Sequence, residues 1–223
     1  MLIQPIQVSP WQANCYLVAA REDADQCIVV DPGITGADAI NAALAERSWL
    51  PAAIFCTHGH IDHVGDAHVL AGDRRVPVYL AQADQHLLTR PADGLGDQSV
   101  GLLQQLLGSE VLPPIADVRN LDERVDVAGL TIVPTSAPGH TKGSTLLTVS
   151  TAAGSVVFTG DVLFAGTIGR TDLPGGSMAE MRETLRRIVA NFPEGTPLLP
   201  GHGQPTILAD EIAGNPYLQP ESL

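Results

Sequence analysis

His58-Gly59-His60-Ile61-Asp62-His63 is the stretch from which the rest of the chain is read. Four potential metal ligands stand in these six positions. They follow an apolar run, Ala52-Ala53-Ile54-Phe55-Cys56-Thr57, that reads as a short buried strand ending where the polar residues begin. A loop at a strand end can aim several side chains inward without helical spacing. Imidazole and carboxylate are the ligand set of zinc, iron and manganese. A polar loop that is merely rich in histidine is a poor explanation, because three of the chain's seven His fall here beside an Asp.

On the N-terminal side, residues 2–8 and 13–20 read as strands broken by Ser9-Pro10, and 27–30 as a third ended by Asp31-Pro32-Gly33. Asp31 is either a turn former or a partner for a site histidine. A helix is expected over 37–47, before Pro51. After the His loop come a short helix at 66–72, a strand at 76–80 and helix at 81–88. His68 and His86 lack ligand spacing to the cluster and read as surface or packing residues. Residues 91–120 hold Pro91, Gly94, Gly96, Pro113 and Pro114 around an amphipathic patch, Val100 to Leu107. This segment is expected to be a loop-helix excursion over the site and a place for substrate selection.

From 125 onward strands return. Val125–Val127 and Leu130–Val133 flank Ala128-Gly129, a hairpin signal. His140 stands in a Gly/Pro-bounded loop between strands at 130–136 and 145–150. The strand 155–159 ends in Gly160-Asp161. Residues 177–190 give the clearest helix, with Ser177 and Glu180 as a capping box and Met178, Met181, Leu185 and Ile188 on one face. A strand at 196–199 is closed by Pro200-Gly201-His202-Gly203, and the tail 215–218 is expected to pack locally.

The length, 223 residues, suits a single domain spanning 1–223. Apolar content of 44% against 17% charged excludes a disordered chain. Asp and Glu number 25 against 12 Lys and Arg, a formal charge of −13. Such a surface repels nucleic acid and anionic membrane, and bound divalent cations would offset part of the charge. Cys15, Cys27 and Cys56 form no CxxC pair and read as buried, reduced thiols. The N-terminus lacks a signal-peptide pattern, and no apolar run approaches the roughly 18 residues of a membrane span, so cytoplasmic placement is expected.

His58, His60, Asp62, His63, His140, Asp161 and His202 all fall at strand ends or in tight loops. They are too many for one tetrahedral ion and divide between two. Asp161 has two oxygens with which to bridge a two-metal site about 3.5–4 Å across.

With this motif and ligand order, essentially the whole chain resembles the metallo-β-lactamase superfamily. The resemblance implies an α/β fold, an αββα sandwich of two mixed sheets flanked by helices with metals at the sheet edge. It implies that His58, His60 and His140 hold one metal, that Asp62, His63 and His202 hold the other, and that Asp161 bridges. Two divalent ions are expected, zinc first, with iron or manganese as alternatives. Phe158-Thr159-Gly160-Asp161 followed by Gly169-Arg170-Thr171-Asp172 looks like the glyoxalase II group. That resemblance implies hydrolysis of a small-molecule thioester, S-lactoylglutathione or a similar acyl thiol, by a metal-bridging hydroxide. Asp62 and Asp161 would be the catalytic residues, with Asp62 orienting the hydroxide, and Arg170 would bind the substrate's carboxylate. A structural Arg170–Asp172 contact is the other reading of that pair. Neither nucleic acid nor membrane is expected as a partner.

Two features depart from the group. Only 21 residues follow His202, where full-length glyoxalase II carries a helical C-terminal domain, so the short, single-domain relatives are the nearer pattern and the thiol carrier stays open. Lys142 stands where many relatives have Pro. An alternative is persulfide dioxygenase, which shares the motif and a Gly-Arg-Thr-Asp segment. That family uses one iron, here held by His58, His140 and Asp161.

Overall fold

The computed structural model describes residues 1–96, 100–220 and 222–223. The chain opens as an antiparallel meander of β1 (Leu2–Val8), β2 (Ala13–Ala19) and β3 (Gln26–Val30). It crosses through α1 (Ala37–Arg47) to β4 (Leu50–Phe55), parallel to β3. A single helical turn, α2 (Ile61–Val64), and α3 (Ala67–Arg74) lead to β5 (Val78–Leu80), parallel to β4. After α4 (Val100–Leu107), β6 (Val118–Asn120) adds to the edge, giving the sheet order β1-β2-β3-β4-β5-β6.

The second sheet begins with an antiparallel run of β7 (Val125–Val127), β8 (Leu130–Ser136), β9 (Thr145–Thr151) and β10 (Gly154–Gly160). A small hairpin follows, β11 (Leu163–Phe164) and β12 (Thr167–Ile168). Then α5 (Met178–Asn191) returns the chain to β13 (Pro197–Pro200), parallel to β10. β14 (Thr206–Ile207) and α6 (Leu208–Gly214) complete the order β14-β13-β10-β9-β8-β7.

Alternation along the strands decides the layers. Tyr16, Val18, Ile28, Val30 and Phe55 face Leu130, Ile132, Leu147, Val149 and Phe158 between the sheets. Their neighbours Cys15, Leu17, Cys27, Val29 and Ile54 point the other way, onto Ile40 and Leu44 of α1 and Leu70 of α3. Strands buried on both faces read as unbroken apolar runs, which is why 13–19 and 27–30 carry so few polar residues. Met181, Leu185 and Ile188 of α5, with Leu208 of α6, cover Leu146, Val157 and Leu198 on the outside of the second sheet. The result is the expected αββα sandwich.

Several details differ from the sequence reading. The strand before the His loop is Leu50–Phe55 and does not extend to Thr57. Residues 82–88 form a 3-10 helix, and α3 runs to Arg74. The short strands β6, β11, β12 and β14 and the helix α6 were not expected. Ser177 caps α5 by accepting from the Glu180 N–H, but Met178 lies on the exposed side of its first turn. All three cysteines are free and buried. In the 91–120 segment, residues 97–99 lie outside the described residues; Leu103 and Leu112 pack on Ile34 and Ile61, beside the His loop. Among the described residues no helix is long and apolar enough to cross a membrane.

Candidate metal centre

The His motif bends where its chemistry divides. The chain bends at Thr57–His58 and is extended at His60, and the His58 and His60 rings pack edge to face with that of His140. At His60 the chain enters α2, with the His63 and Val64 N–H groups donating to the His60 carbonyl. That turn aims Asp62 and His63 to the other side. The β8–β9 connection brings in His140, the end of β10 brings Asp161, and the end of β13 brings His202.

These elements gather all seven sequence-predicted ligands. His58, His60 and His140 present ring nitrogens within 4.8 Å of one another, and so do the ligand atoms of Asp62, His63 and His202. His60 Nδ1 lies 2.8 Å from His140 Nε2, and His63 Nε2 lies 3.2 Å from His202 Nε2. Asp161 stands between the trios. Its Oδ1 is 3.4 Å from His63 Nε2, and its Oδ2 is 3.5 Å from Nε2 of both His140 and His202. The approach is close enough that any side chain at Gly201 would strike Asp161 Oδ1 and His63.

The polar balance of the cluster calls for cations. Among the described residues, the buried side-chain nitrogens and oxygens without a hydrogen-bond partner are His58 Nε2, His60 Nε2 and Asp161 Oδ1, all in this cluster. Buried polar atoms are rarely left unpaired unless something else satisfies them. Burial lowers the proton affinity of His58 and pushes His60 down to about 3, and the neighbouring imidazoles add to both shifts. For His63 burial acts in the same sense, but Asp161, Asp62 and Asp31 outweigh it and push the ring up to about 10. Burial alone would raise Asp62; His63 and His202 reverse this and hold it well below the usual carboxylate range. One half of the cluster thus offers free lone pairs, and the other is a carboxylate cage that holds positive charge.

Outer partners fix the ligands. Asp31, in a left-handed conformation at φ +51°, is both turn former and partner. Its buried carboxylate accepts from the Thr57 N–H and hydroxyl, each at 2.7 Å, and meets His63 Nδ1 at 3.0 Å. The 200–203 loop is tied to the first sheet through Asn14 Nδ2 and the Tyr16 hydroxyl, both donating to the Pro200 carbonyl. Sequence reasoning missed Asn14, Tyr16 and also Asp84, a buried carboxylate four residues past β5. A carboxylate just beyond an apolar strand was the available signal, as for Asp31 and Asp161. His68 Nδ1 lies 2.8 Å from the Gly65 carbonyl and His86 is exposed; among the described residues neither joins the cluster.

A cavity of about 360 Å³ opens beside the cluster, walled by Trp11, Ile61, Leu95, Phe164 and Leu173, with Arg170 on its rim. The Arg170 guanidinium makes a two-pronged pair with Asp172, at 2.7 and 2.8 Å. Its backbone carbonyl lies 2.7 Å from His140 Nδ1, which fixes that ring as an Nδ1–H donor with Nε2 free. The segment passes so close that a side chain at Gly169 would strike the Asp161 carbonyl.

Comparison with known proteins agrees with this arrangement. A family model described as the metallo-beta-lactamase superfamily matches residues 8–202. The chain is 35% identical over 217 residues to the probable metallo-hydrolase YqgX of Bacillus subtilis, covering 97% of each protein. It is 28% identical over 223 residues to the hydroxyacylglutathione hydrolase GloC of Haemophilus influenzae, covering both in full. Among solved structures, BLEG-1, a B3 metallo-beta-lactamase, superposes with a TM-score of 0.81 at 28% identity, covering 98% of this chain and 100% of BLEG-1. TTHA1623, solved in a di-iron-bound form, superposes at 0.78 with 33% identity, covering 96% and 100%. With its fold, its ligand order and a family match over most of its length, the chain belongs to the metallo-β-lactamase superfamily.

Proposed function

We propose that the protein is a dinuclear metal-dependent hydrolase of the glyoxalase II type, cleaving the thioester of S-lactoylglutathione or a similar acyl thiol. In this reading His58, His60 and His140 would hold one divalent ion and Asp62, His63 and His202 the other, with Asp161 a ligand available to both. The position of Asp161 carries the proposal, because its two oxygens face ring nitrogens of both trios at 3.4 and 3.5 Å. A carboxylate so placed suits two ions better than one. The likeness to GloC supports the substrate class, and the likeness to a di-iron-bound structure supports two ions. Zinc is the first expectation, with iron or manganese as alternatives.

Divalent ions held here would supply Lewis acidity, which polarises a carbonyl and acidifies water. The chain's part is to position and exclude. Asp62 keeps 17% of its side chain open, and its free oxygen can accept from an attacking water and set its direction. The apolar walls of Ile61, Leu95, Phe164 and Leu173 hold the acyl group and limit competing water. Arg170 offers a planar fork to a substrate carboxylate once Asp172 swings aside. His140 is tied to the Arg170 carbonyl, so the substrate loop and this ligand move together.

The test is metal analysis of protein purified without added metal, with three assays on the same preparation: thioester hydrolysis, β-lactam hydrolysis and persulfide-dependent oxygen uptake. Two ions per chain with thioester hydrolysis dominant is the expected result. One iron per chain with oxygen uptake would replace the proposal by a mononuclear dioxygenase. Dominant β-lactam turnover would replace it by a lactamase.

A further inference from the structure

We infer that Asp84 is a positioning residue for one metal ion only, the ion of the His58/His60/His140 trio; this rests on the two-ion reading above. Asp84 lies on the 3-10 helix Gln82–Leu88 and is 2% exposed. Its Oδ2 accepts from the Gly59 N–H at 2.9 Å and the Thr141 hydroxyl at 2.7 Å, and its Oδ1 accepts from the Gly143 N–H at 2.8 Å. Gly59 sits between His58 and His60, and Thr141 directly follows His140. One carboxylate therefore holds together two ligand loops that leave different sheets, one after β4 and one between β8 and β9. Both loops close tightly on it: a Cβ on Gly143 would lie 2.5 Å from Asp84 Cγ, and one on Gly59 would lie 2.9 Å from Asp84 Cβ.

The other trio has separate supports. His63 leans on Asp31, and the His202 loop hangs from Asn14 and Tyr16. None of the hydrogen bonds of Asp84 reaches these residues. Without Asp84 the loops of His58/His60 and His140 lose their common anchor, and the relative placement of the two loops falls to the ion and to the separate contacts of His140 with the Arg170 carbonyl and of His58 with the Thr57 hydroxyl. Loss of such outer partners lowers metal affinity by about 10–100-fold. In Asp84→Asn the amide nitrogen replaces one acceptor oxygen and faces either the Gly143 N–H or the Gly59 and Thr141 donors, so the link between the two loops is weakened. Thr141→Val removes a single bond and is the milder variant.

Two backgrounds separate the sites. His202→Ala leaves the His58/His60/His140 trio intact, and His140→Ala leaves the Asp62/His63/His202 trio intact. Zn²⁺ affinity of the metal-depleted proteins is read by competition with a chromophoric chelator, and folding by circular dichroism. Asp84→Asn is expected to weaken Zn²⁺ binding by about 10–100-fold in the His202→Ala background and to leave it unchanged in the His140→Ala background. Thr141→Val should give a smaller loss with the same asymmetry, and it decides the matter if Asp84→Asn fails to fold. Equal losses in both backgrounds, or none in the first, would overturn the inference. A native chain that binds only one Zn²⁺ overturns the two-ion reading and the inference with it, and its stoichiometry distinguishes that failure from failure of the inference alone.

Discussion

His58, His60 and His140 are almost wholly buried, whereas Asp62 and His202 keep 17% and 25% of their side chains open. The surroundings then set opposite proton affinities. Burial leaves His60 neutral down to about 3, while Asp161, Asp62 and Asp31 override burial at His63 and push it up to about 10. His202 is raised as well: burial opposes the shift, but its contacts with Asp62 and Asp161 prevail. The same side chain, imidazole, is thus tuned in opposite directions a few ångströms apart by the number of carboxylates around it. In one trio His58 and His60 offer their lone pairs without giving up a proton. The other must exchange protons for a cation, and the cavity reaches ligands of both, His60 and His140 as well as Asp62 and His202.

Asp161 belongs to both halves, so its loss should erase the distinction. Asp161→Ala is expected to abolish activity and to lower metal content at both trios, read by elemental analysis alongside thioester turnover. Full metal occupancy in that variant would remove Asp161 from its bridging role. The fold should survive, because the two-sheet core forms without the ions.

Asp31 is the counterpart of Asp84 for the second trio. Asp31→Ala leaves the buried Thr57 N–H unpaired and His63 Nδ1 without its partner. We expect a stability loss of about 1–3 kcal/mol and a loss of about 10–100-fold in Zn²⁺ affinity at the Asp62/His63/His202 trio, with a smaller loss at the other trio, which Asp31 reaches through the Thr57 hydroxyl beside His58 Nδ1. Thermal melts of metal-free protein give the first, and titration in the His140→Ala background gives the second. A loss appearing equally at the buried trio would break the division.

Proton competition gives a smaller, graded effect. A His63 raised to about 10 carries a proton at neutrality in the metal-free protein, and a cation must displace it. Affinity at the second trio should therefore rise with pH through the neutral range, by at most about tenfold per pH unit for each proton released. His60, lowered to about 3, and His58, lowered by burial, have no proton left to release there, so the rise should be shallower at the first trio. Zn²⁺ titrations of the two single-trio backgrounds at about pH 6 and about pH 8 compare the slopes directly. A steeper slope at the buried trio would invert the comparison.

The ligands of both halves were more legible in the sequence than the residues that support them. HxHxDH and the strand-end His140, Asp161 and His202 lie in short apolar or Gly/Pro contexts that local pattern reveals. The layers were legible for the same reason, since strands such as 13–19 are long and apolar on both faces. Strands of two or three residues, β6, β11, β12 and β14, are too short to show any alternation. Met178 shares the spacing of Met181 but occupies the first turn of α5, where the helix has not yet reached the sheet. Asp84 was invisible for a different reason. Its partners are backbone and hydroxyl donors from Gly59, Thr141 and Gly143, at sequence separations of 25, 57 and 59, and no spacing rule links them.

The smallest expected effect concerns Arg170, on the rim of the cavity. Its guanidinium is committed to Asp172, but both side chains are exposed, at 60% and 68%. An exposed pair contributes only about 0–1 kcal/mol, so a substrate carboxylate can replace Asp172 at little cost. A charge-assisted hydrogen bond to the substrate adds about 1.5–3 kcal/mol. The net is about 1 kcal/mol, or about fivefold in kcat/KM, carried by KM because the contact persists from ground to transition state. Arg170→Ala should therefore weaken use of an anionic thioester and spare a neutral one. The backbone carbonyl that meets His140 Nδ1 is retained in that variant, so kcat and metal content should hold. Asp172→Asn supplies the opposite sign: it frees the guanidinium and should lower KM for the anionic thioester. If both substitutions impair anionic and neutral substrates alike, the Arg170–Asp172 pair shapes the loop under His140 and does not read substrate charge.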